Sequence, residues 1–341
     1  MTVEICVVGF GAIGALYAFA LERSSEVHLT AVCRSNHIAV RENGLIIESD
    51  KLGTHSPWHP YRVVRTVEEA ADRPYAFVIC AAKCLPDVGL TSSILEPLLK
   101  TLPSTPETAI VLLQNGVGIE EDVQKAIAGS GATNPVLSGC AWVDVTVVDG
   151  GKRVVQHGNE RLVLGYHKPP QGYTSTDNRG PDALNKLCSL LQFAGASAQV
   201  ASDVDAARWR KVLWNASFST MCTLTRTTVG DVLALQESRQ ELKAIMLEVL
   251  TVAREIVTEE GAAILSDSVA DAVIQSENPL SVFKPSMLVD LEAGRPMEVE
   301  VIVGGIVRKA RAHSKSTPRL EMIYAALKVI QKGLINVRSS V

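Results

Sequence analysis

Residues 2–21 read TVEICVVGFGAIGALYAFAL. Val3, Ile5, Val7 and Val8 form a short β-branched apolar run, the mark of a buried parallel strand. Gly9-Phe10-Gly11-Ala12-Ile13-Gly14 follows at once, and Ala15 to Leu21 continues as a helix with no breaker in it. Strand, tight turn and helix together are the context in which G-x-G-x-x-G reads as a dinucleotide fingerprint. Gly9 permits the turn, Gly11 lets the backbone come close to a pyrophosphate, and Gly14 lets the helix pack tightly on the strand. The helix start, around Ala12 and Ile13, offers the anion unpaired N–H groups and the positive end of the helix dipole. A plain βα turn is the weaker reading in this context.

The next strand, Val27 to Cys33, ends on Arg34-Ser35-Asn36-His37. About 20 residues past the glycines an NAD-binding unit usually carries an acidic residue for the ribose 2′-hydroxyl. Arg34 stands there instead, and its planar fork suits a 2′-phosphate. NADPH is therefore expected over NADH, against the competing reading of a solvated loop arginine.

Further buried strands are expected at 75–81 and 109–113, with edge or irregular structure at 43–64 and a helix at about 86–102. Ligands of open α/β sheets lie beyond the carboxyl ends of the strands, which is where Lys83 and Asn115 fall. Each is equally readable as a loop residue that caps an element. From Val136 the pattern becomes three alternating strands, VLSGCAWVDVTVV, RVVQHGN and RLVLGY. A polar loop at 168–181, a helix at 182–193 and a strand at 197–201 close the domain. After Asp203 the strand signals stop. Helices are expected at 205–227, 236–261, 267–276, 280–293, 297–313 and 318–333. The fold class is α/β: a Rossmann-type dinucleotide-binding domain over 1–204, followed by an all-helical substrate domain over 205–335.

Composition narrows the function. The chain has 341 residues, enough for two sizeable cores, and a net charge of -4 gives no general attraction to nucleic acid or an anionic membrane. The N-terminus enters a strand directly and no apolar run is long enough to span a bilayer, so a cytoplasmic location is expected. The seven cysteines are scattered, and Cys80 and Cys84 have no second pair or nearby histidine to make a zinc site. Buried reduced thiols and no metal dependence are expected. The apolar helices after 205 leave a homodimer face and a simple core as open alternatives.

Two clusters carry chemistry. Lys211 and Asn215 lie four residues apart on one helix face, within WRKVLWN at 209–215. A lysine on a cleft wall can give a proton to a carbonyl oxygen as a hydride reaches the carbon. A solvated lysine on an arginine-rich surface competes with this, and spacing alone favours it. The second cluster is SMLVDLEAGRPMEVE at 286–300, where Pro296 suits a helix start. Glu298 then falls in a first turn that welcomes a carboxylate, or accepts a substrate hydroxyl.

VVGFGAIG (7–14), Lys83, LLQNGVG (112–118), WRKVLWN and the 286–300 segment, in that order, resemble the ketopantoate reductase (2-dehydropantoate 2-reductase) family over most of the chain. That resemblance implies NADPH-dependent reduction of a 2-oxo acid to a 2-hydroxy acid. Lys211 would be the general acid and Glu298 would hold and orient the substrate hydroxyl. Ser286 would bind the carboxylate, with Asn115, Asn215 and Ser219 completing the substrate set, and Asn115 and Lys83 would also touch the cofactor. The chain departs from the family at Ser219, Val229, Phe283 and Val303, positions that usually carry asparagine. The reaction type survives these changes, but the substrate is put in question, and a bulkier or less polar carbonyl substrate fits them. Ketopantoate leads; a paralogue acting on another ketone or 2-oxo acid with the same machinery comes second. A catalytically silent NADP(H)-binding sensor is the reading from another class.

Overall fold

The computed structural model describes residues 2–168 and 178–339. Residues 169–177 of the expected polar loop lie outside the described residues. The chain divides into two compact units. The first comprises Met1–Lys83, Leu90–Gln114 and Ile119–Val204; the second comprises Cys84–Gly89, Asn115–Gly118 and Asp205–Val341.

The first unit is built on a ten-stranded sheet: β1 Val3–Val8, β2 Val27–Val32, β3 Leu45–Ser49, β4 Gly53–Trp58, β5 Arg62–Val64, β6 Phe77–Cys80, β7 Ala109–Leu112, β8 Val136–Val148, β9 Arg153–His167 and β10 Ala198–Val200. The order is β4-β3-β9-β8-β7-β6-β1-β2-β5, with β10 beside β9. From β5 to β8 every pairing is parallel. Helices α1 Ala12–Glu22, α2 His37–Asn43, α3 Val67–Ala70, α4 Thr91–Leu99, α5 Glu121–Gly129 and α6 Arg179–Phe193 complete it. Strands buried on both faces explain the continuous apolar runs: Ile5, Leu29, Ile79, Ala109 and Val111 all lie in one core with the buried face of α1. The strand order reverses between β1 and β6, so their carboxyl ends make the crevice where such sheets bind ligands.

Three expectations change here. RVVQHGN and RLVLGY are one strand, β9, and not two. Pairing with β8 jumps from Glu160↔Val143 to His157↔Asp144, so the chain at 158–159 bulges without turning back. The helix expected at 86–102 begins only at Thr91, because 84–89 belongs to the second unit. Conversely, α6 starts at Arg179, since Pro181 falls in its first turn, where a missing N–H costs nothing.

The second unit is helical: α7 Val204–Trp214, a π-helical turn at Asn215–Ser219, α8 Thr220–Thr225, α9 Val229–Ala234, α10 Gln236–Ala253, α11 Glu259–Ala263, α12 Ser268–Ser276, α13 Ser286–Glu292, a second π-helical turn at Glu300–Gly304, α14 Gly305–Ala312 and α15 Pro318–Ser339. The apolar face of α10 (Leu242, Ile245, Met246, Val249, Val252) forms its core against the first π-turn, α12, α14 and α15. α9 was not expected. It exists because Thr228 and Asp231 form a reciprocal capping box. The helix expected over 236–261 breaks after Ala253 and restarts at Glu259, where Thr258 Oγ1 caps Gly261 N–H at 3.1 Å. The helix expected from 280 starts at Ser286, because Pro285 holds the residue before it out of helical geometry.

All seven cysteines are free and buried. Burial pushes the Cys33, Cys80 and Cys222 thiols up to about 12, so they act as small inert core residues. Among the described residues no helix is long and apolar enough to cross a membrane.

Candidate active site

In the first unit the glycine turn has the geometry its sequence demands. Gly9 has φ +93°, and a Cβ there would collide with the Ala82 backbone at the end of β6. A Cβ on Gly14 would strike the Gly9 carbonyl, so the turn and α1 close on each other only as glycines. At Gly11 the space that a Cβ would enter is open to 4 Å. Gly11 is also the N-cap of α1, with no side chain capping the first-turn N–H groups at Ala12 and Ile13. An open cradle in front of uncapped donors suits a pyrophosphate. Asn36 Nδ2 donates to the Phe10 carbonyl at 3.0 Å and ties the turn to the end of β2. Arg34, exposed, follows β2 directly, and Lys83 is likewise exposed after β6. These residues fit a dinucleotide.

The second unit brings together three of the expected residues in one hydrogen-bonded chain. Lys211 Nζ donates to Asn115 Oδ1 at 2.9 Å. Asn115 Nδ2 donates to Glu298 Oε2 at 2.9 Å, and Glu298 Oε1 accepts from the Cys84 N–H at 3.1 Å. The amide of Asn115 is thereby oriented, oxygen to the ammonium and nitrogen to the carboxylate. Lys211 and Asn115 are part-buried and Glu298 is buried, so this is not the solvated lysine that spacing alone favoured.

The backbone under Asn115 is pinned. Gly116 has φ +93°, and a Cβ there would collide with Val301, whose carbonyl accepts the Val117 N–H at 2.9 Å. Arg208, buried one turn before Lys211, donates to the Gly116 carbonyl at 3.0 Å. Glu298 sits at an N-cap position and not inside a first turn: its carbonyl accepts Ile302 N–H at 3.1 Å, while its side chain turns to Cys84 and Asn115. Behind it, Glu300 accepts from Lys328 at 2.6 Å, Arg308 at 2.6 Å and Tyr324 at 2.8 Å. Burial raises the Glu300 carboxyl, but these three donors outweigh it and hold the group below the ordinary glutamate range. Lys328 also reaches Asp87 at 3.3 Å, so the segment carrying Cys84 is anchored to α15.

The other expected residues lie outside this chain of hydrogen bonds. Asn215 opens the first π-turn and Ser219, buried, ends it. The extra residue in that turn moves Ser219 off the four-residue stripe that carries Lys211 and Asn215. Ser286 is the exposed first residue of α13. Val229 and Val303 are fully buried. The Cys84 amide and Arg208 were not anticipated. The signal for Arg208 was present, since 208, 211 and 215 follow the i, i+3, i+7 stripe of one helix face; Cys84 contributes only backbone and left none.

Comparison with known proteins fits this geometry. A family model described as ketopantoate reductase PanE/ApbA matches residues 5–169, and one for its C-terminal part matches residues 203–331. The crystal structure of 2-dehydropantoate 2-reductase from Methylococcus capsulatus is 30% identical, covers 97% of this chain and 98% of that one, and superposes with a TM-score of 0.79. An uncharacterized protein of Saccharomyces cerevisiae is 28% identical over 97% of this chain and 94% of its own. D-mandelate dehydrogenase, solved with NADH and anilino(oxo)acetate, shares the fold at 18% identity, with 97% and 99% of the chains covered and a TM-score of 0.78. The chain belongs to the ketopantoate reductase family. It is an oxidoreductase whose first unit is made for a dinucleotide.

Proposed function

We propose that this chain reduces a 2-oxo acid to a 2-hydroxy acid with NADPH, with ketopantoate to pantoate as the first reaction to test. The observation that carries the reading is the Lys211–Asn115–Glu298–Cys84 chain. Residues 1–204 then act as the NADPH domain, with Gly9, Gly11, Ala12, Ile13, Gly14, Arg34 and Lys83 as its contacts and Asn115 as a shared one. Residues 205–335 act as the substrate domain.

Bound there, NADPH would supply a hydride for the carbonyl carbon. Lys211 Nζ gives its proton to the carbonyl oxygen, and the hydrogen bond to a neutral amide fixes Nζ in place without taking its charge. Glu298, which accepts from Cys84 and Asn115, also takes the substrate hydroxyl and orients it. Ser286 and Asn215 hold the carboxylate end. The work of the protein is orientation and protonation.

NADPH oxidation followed by absorbance, with ketopantoate beside a panel of 2-oxo acids and ketones, tests the reading. Turnover of ketopantoate well above the panel supports it. Fast turnover of another member with ketopantoate inert establishes the paralogue reading, which the apolar Val229 and Val303 favour. Tight NADPH binding with no turnover of any carbonyl compound leaves the non-catalytic sensor. Arg34→Asp is expected to lower the NADPH over NADH preference in kcat/KM by about tenfold or more, because a bidentate phosphate contact becomes a like-charge repulsion. An unaltered preference would mean that the 2′-phosphate is held elsewhere.

A further inference from the structure

Trp214 stands three residues after Lys211 and one before Asn215, so all three share one face of the helix as it enters the π-turn. Its indole N–H donates to Glu277 Oε1 at 2.8 Å, which fixes the plane of the ring. The indole stacks on buried Phe218 at 5.7 Å with an interplanar angle of 24°. On its other neighbour, Phe283, it leans at 6.1 Å and 57°.

Phe283 is placed by its backbone: its carbonyl accepts the Val229 N–H at 3.1 Å and its own N–H donates to Ser281 Oγ at 3.2 Å. Phe283 nevertheless remains 39% exposed. Three residues further on is Ser286, at the start of α13, which packs against the π-turn. Polar groups suited to a carboxylate and a carbonyl (Ser286, Asn215, Lys211) therefore alternate along the same two segments with aromatic ones (Phe283, Trp214). A held but incompletely covered pair of rings is half of an aromatic cluster, and rings at such spacings attract a further ring edge-to-face or offset.

We infer that the substrate is a 2-oxo acid with an aromatic or comparably bulky apolar side chain, which Phe283 and Trp214 wall while Ser286 and Lys211 hold its polar end. The inference deepens the reading above and rests on it. Its test is kcat/KM at saturating NADPH for phenylglyoxylate and phenylpyruvate beside pyruvate and ketopantoate. At least about a tenfold preference for an aryl acid over both others is expected from burying one more ring against two. Phe283→Asn should then reduce the aryl substrate's kcat/KM about tenfold more than pyruvate's, and Phe283→Leu, which keeps the apolar wall, should restore most of that difference. Pyruvate or ketopantoate turning over faster than both aryl acids would overturn the inference and leave the proposed reaction standing. An equal effect of Phe283→Asn on aryl and small substrates would overturn it as well. No turnover of any 2-oxo acid by a chain that binds NADPH would overturn the proposed reaction itself, and the inference with it.

Discussion

Lys211→Ala is expected to lower kcat by about two orders of magnitude or more, the usual worth of a positioned general acid, with dinucleotide affinity little changed. The separation follows from where the groups lie. Lys211 belongs to the helical unit, whereas the glycine turn and Arg34 belong to the sheet unit. Truncation removes the proposed proton donor and leaves Asn115 Oδ1 without the ammonium it accepts from at 2.9 Å. The pH profile separates this from a merely structural effect. If Lys211 is the general acid, whatever alkaline limb its deprotonation gives the kcat profile is lost with it, which a structural defect would not do. Lys211→Arg is not expected to rescue activity, because a guanidinium keeps its proton and presents it in a different geometry. Steady-state kcat over pH, together with a dinucleotide titration, makes the measurement. An unchanged kcat would remove Lys211 from the mechanism.

What the sequence made legible is what a few neighbouring residues decide on their own. The strand, glycine turn and helix at 3–21 could be read because Gly9 and Gly14 meet steric demands that lie within or next to the motif. The buried strands β1, β6 and β7 could be read from their apolar runs. β9 misled because a bulge and a hairpin share the same short polar spelling, and only pairing with β8 tells them apart. The hydrogen-bonded chain was least legible from spacing. Its links join residues 96, 183 and 214 positions apart, and no local period reports such pairs. Lys211, Asn115 and Glu298 stand out as candidates on a helix face, at a strand end and at a helix start, but their roles came only through the family resemblance, and spacing favoured a solvated lysine. The Cys84 amide escaped both routes, since a backbone donor is blind to side-chain pattern. The glycine in NGVG has its reason only in three dimensions, where Val301 occupies the place of a Cβ on Gly116.

Glu298→Gln is expected to reduce kcat/KM by about one to two orders of magnitude, from the cost of one unsatisfied buried donor. The substitution keeps the shape, so the loss comes from hydrogen-bond polarity. Both oxygens of Glu298 accept, one from Cys84 N–H and one from Asn115 Nδ2. A glutamine has one acceptor and one donor end, so either orientation sets its NH2 against another N–H. Turned towards Asn115, it invites that amide to flip, and the flip would put an NH2 against Lys211 Nζ. The proposed proton donor is then disturbed through its neighbour, and kcat falls even for a 2-oxo acid without a hydroxyl. If Glu298 also holds a substrate hydroxyl, KM rises in addition for hydroxyl-bearing substrates such as ketopantoate and stays nearly level for pyruvate. Asn115→Ala in the Glu298→Gln background closes a double-mutant cycle. Because the two side chains act through one hydrogen-bonded chain, the second substitution should cost far less than it does alone. Full additivity of the two losses would mean that Glu298 does not act through Asn115, and its role would reduce to contact with the substrate.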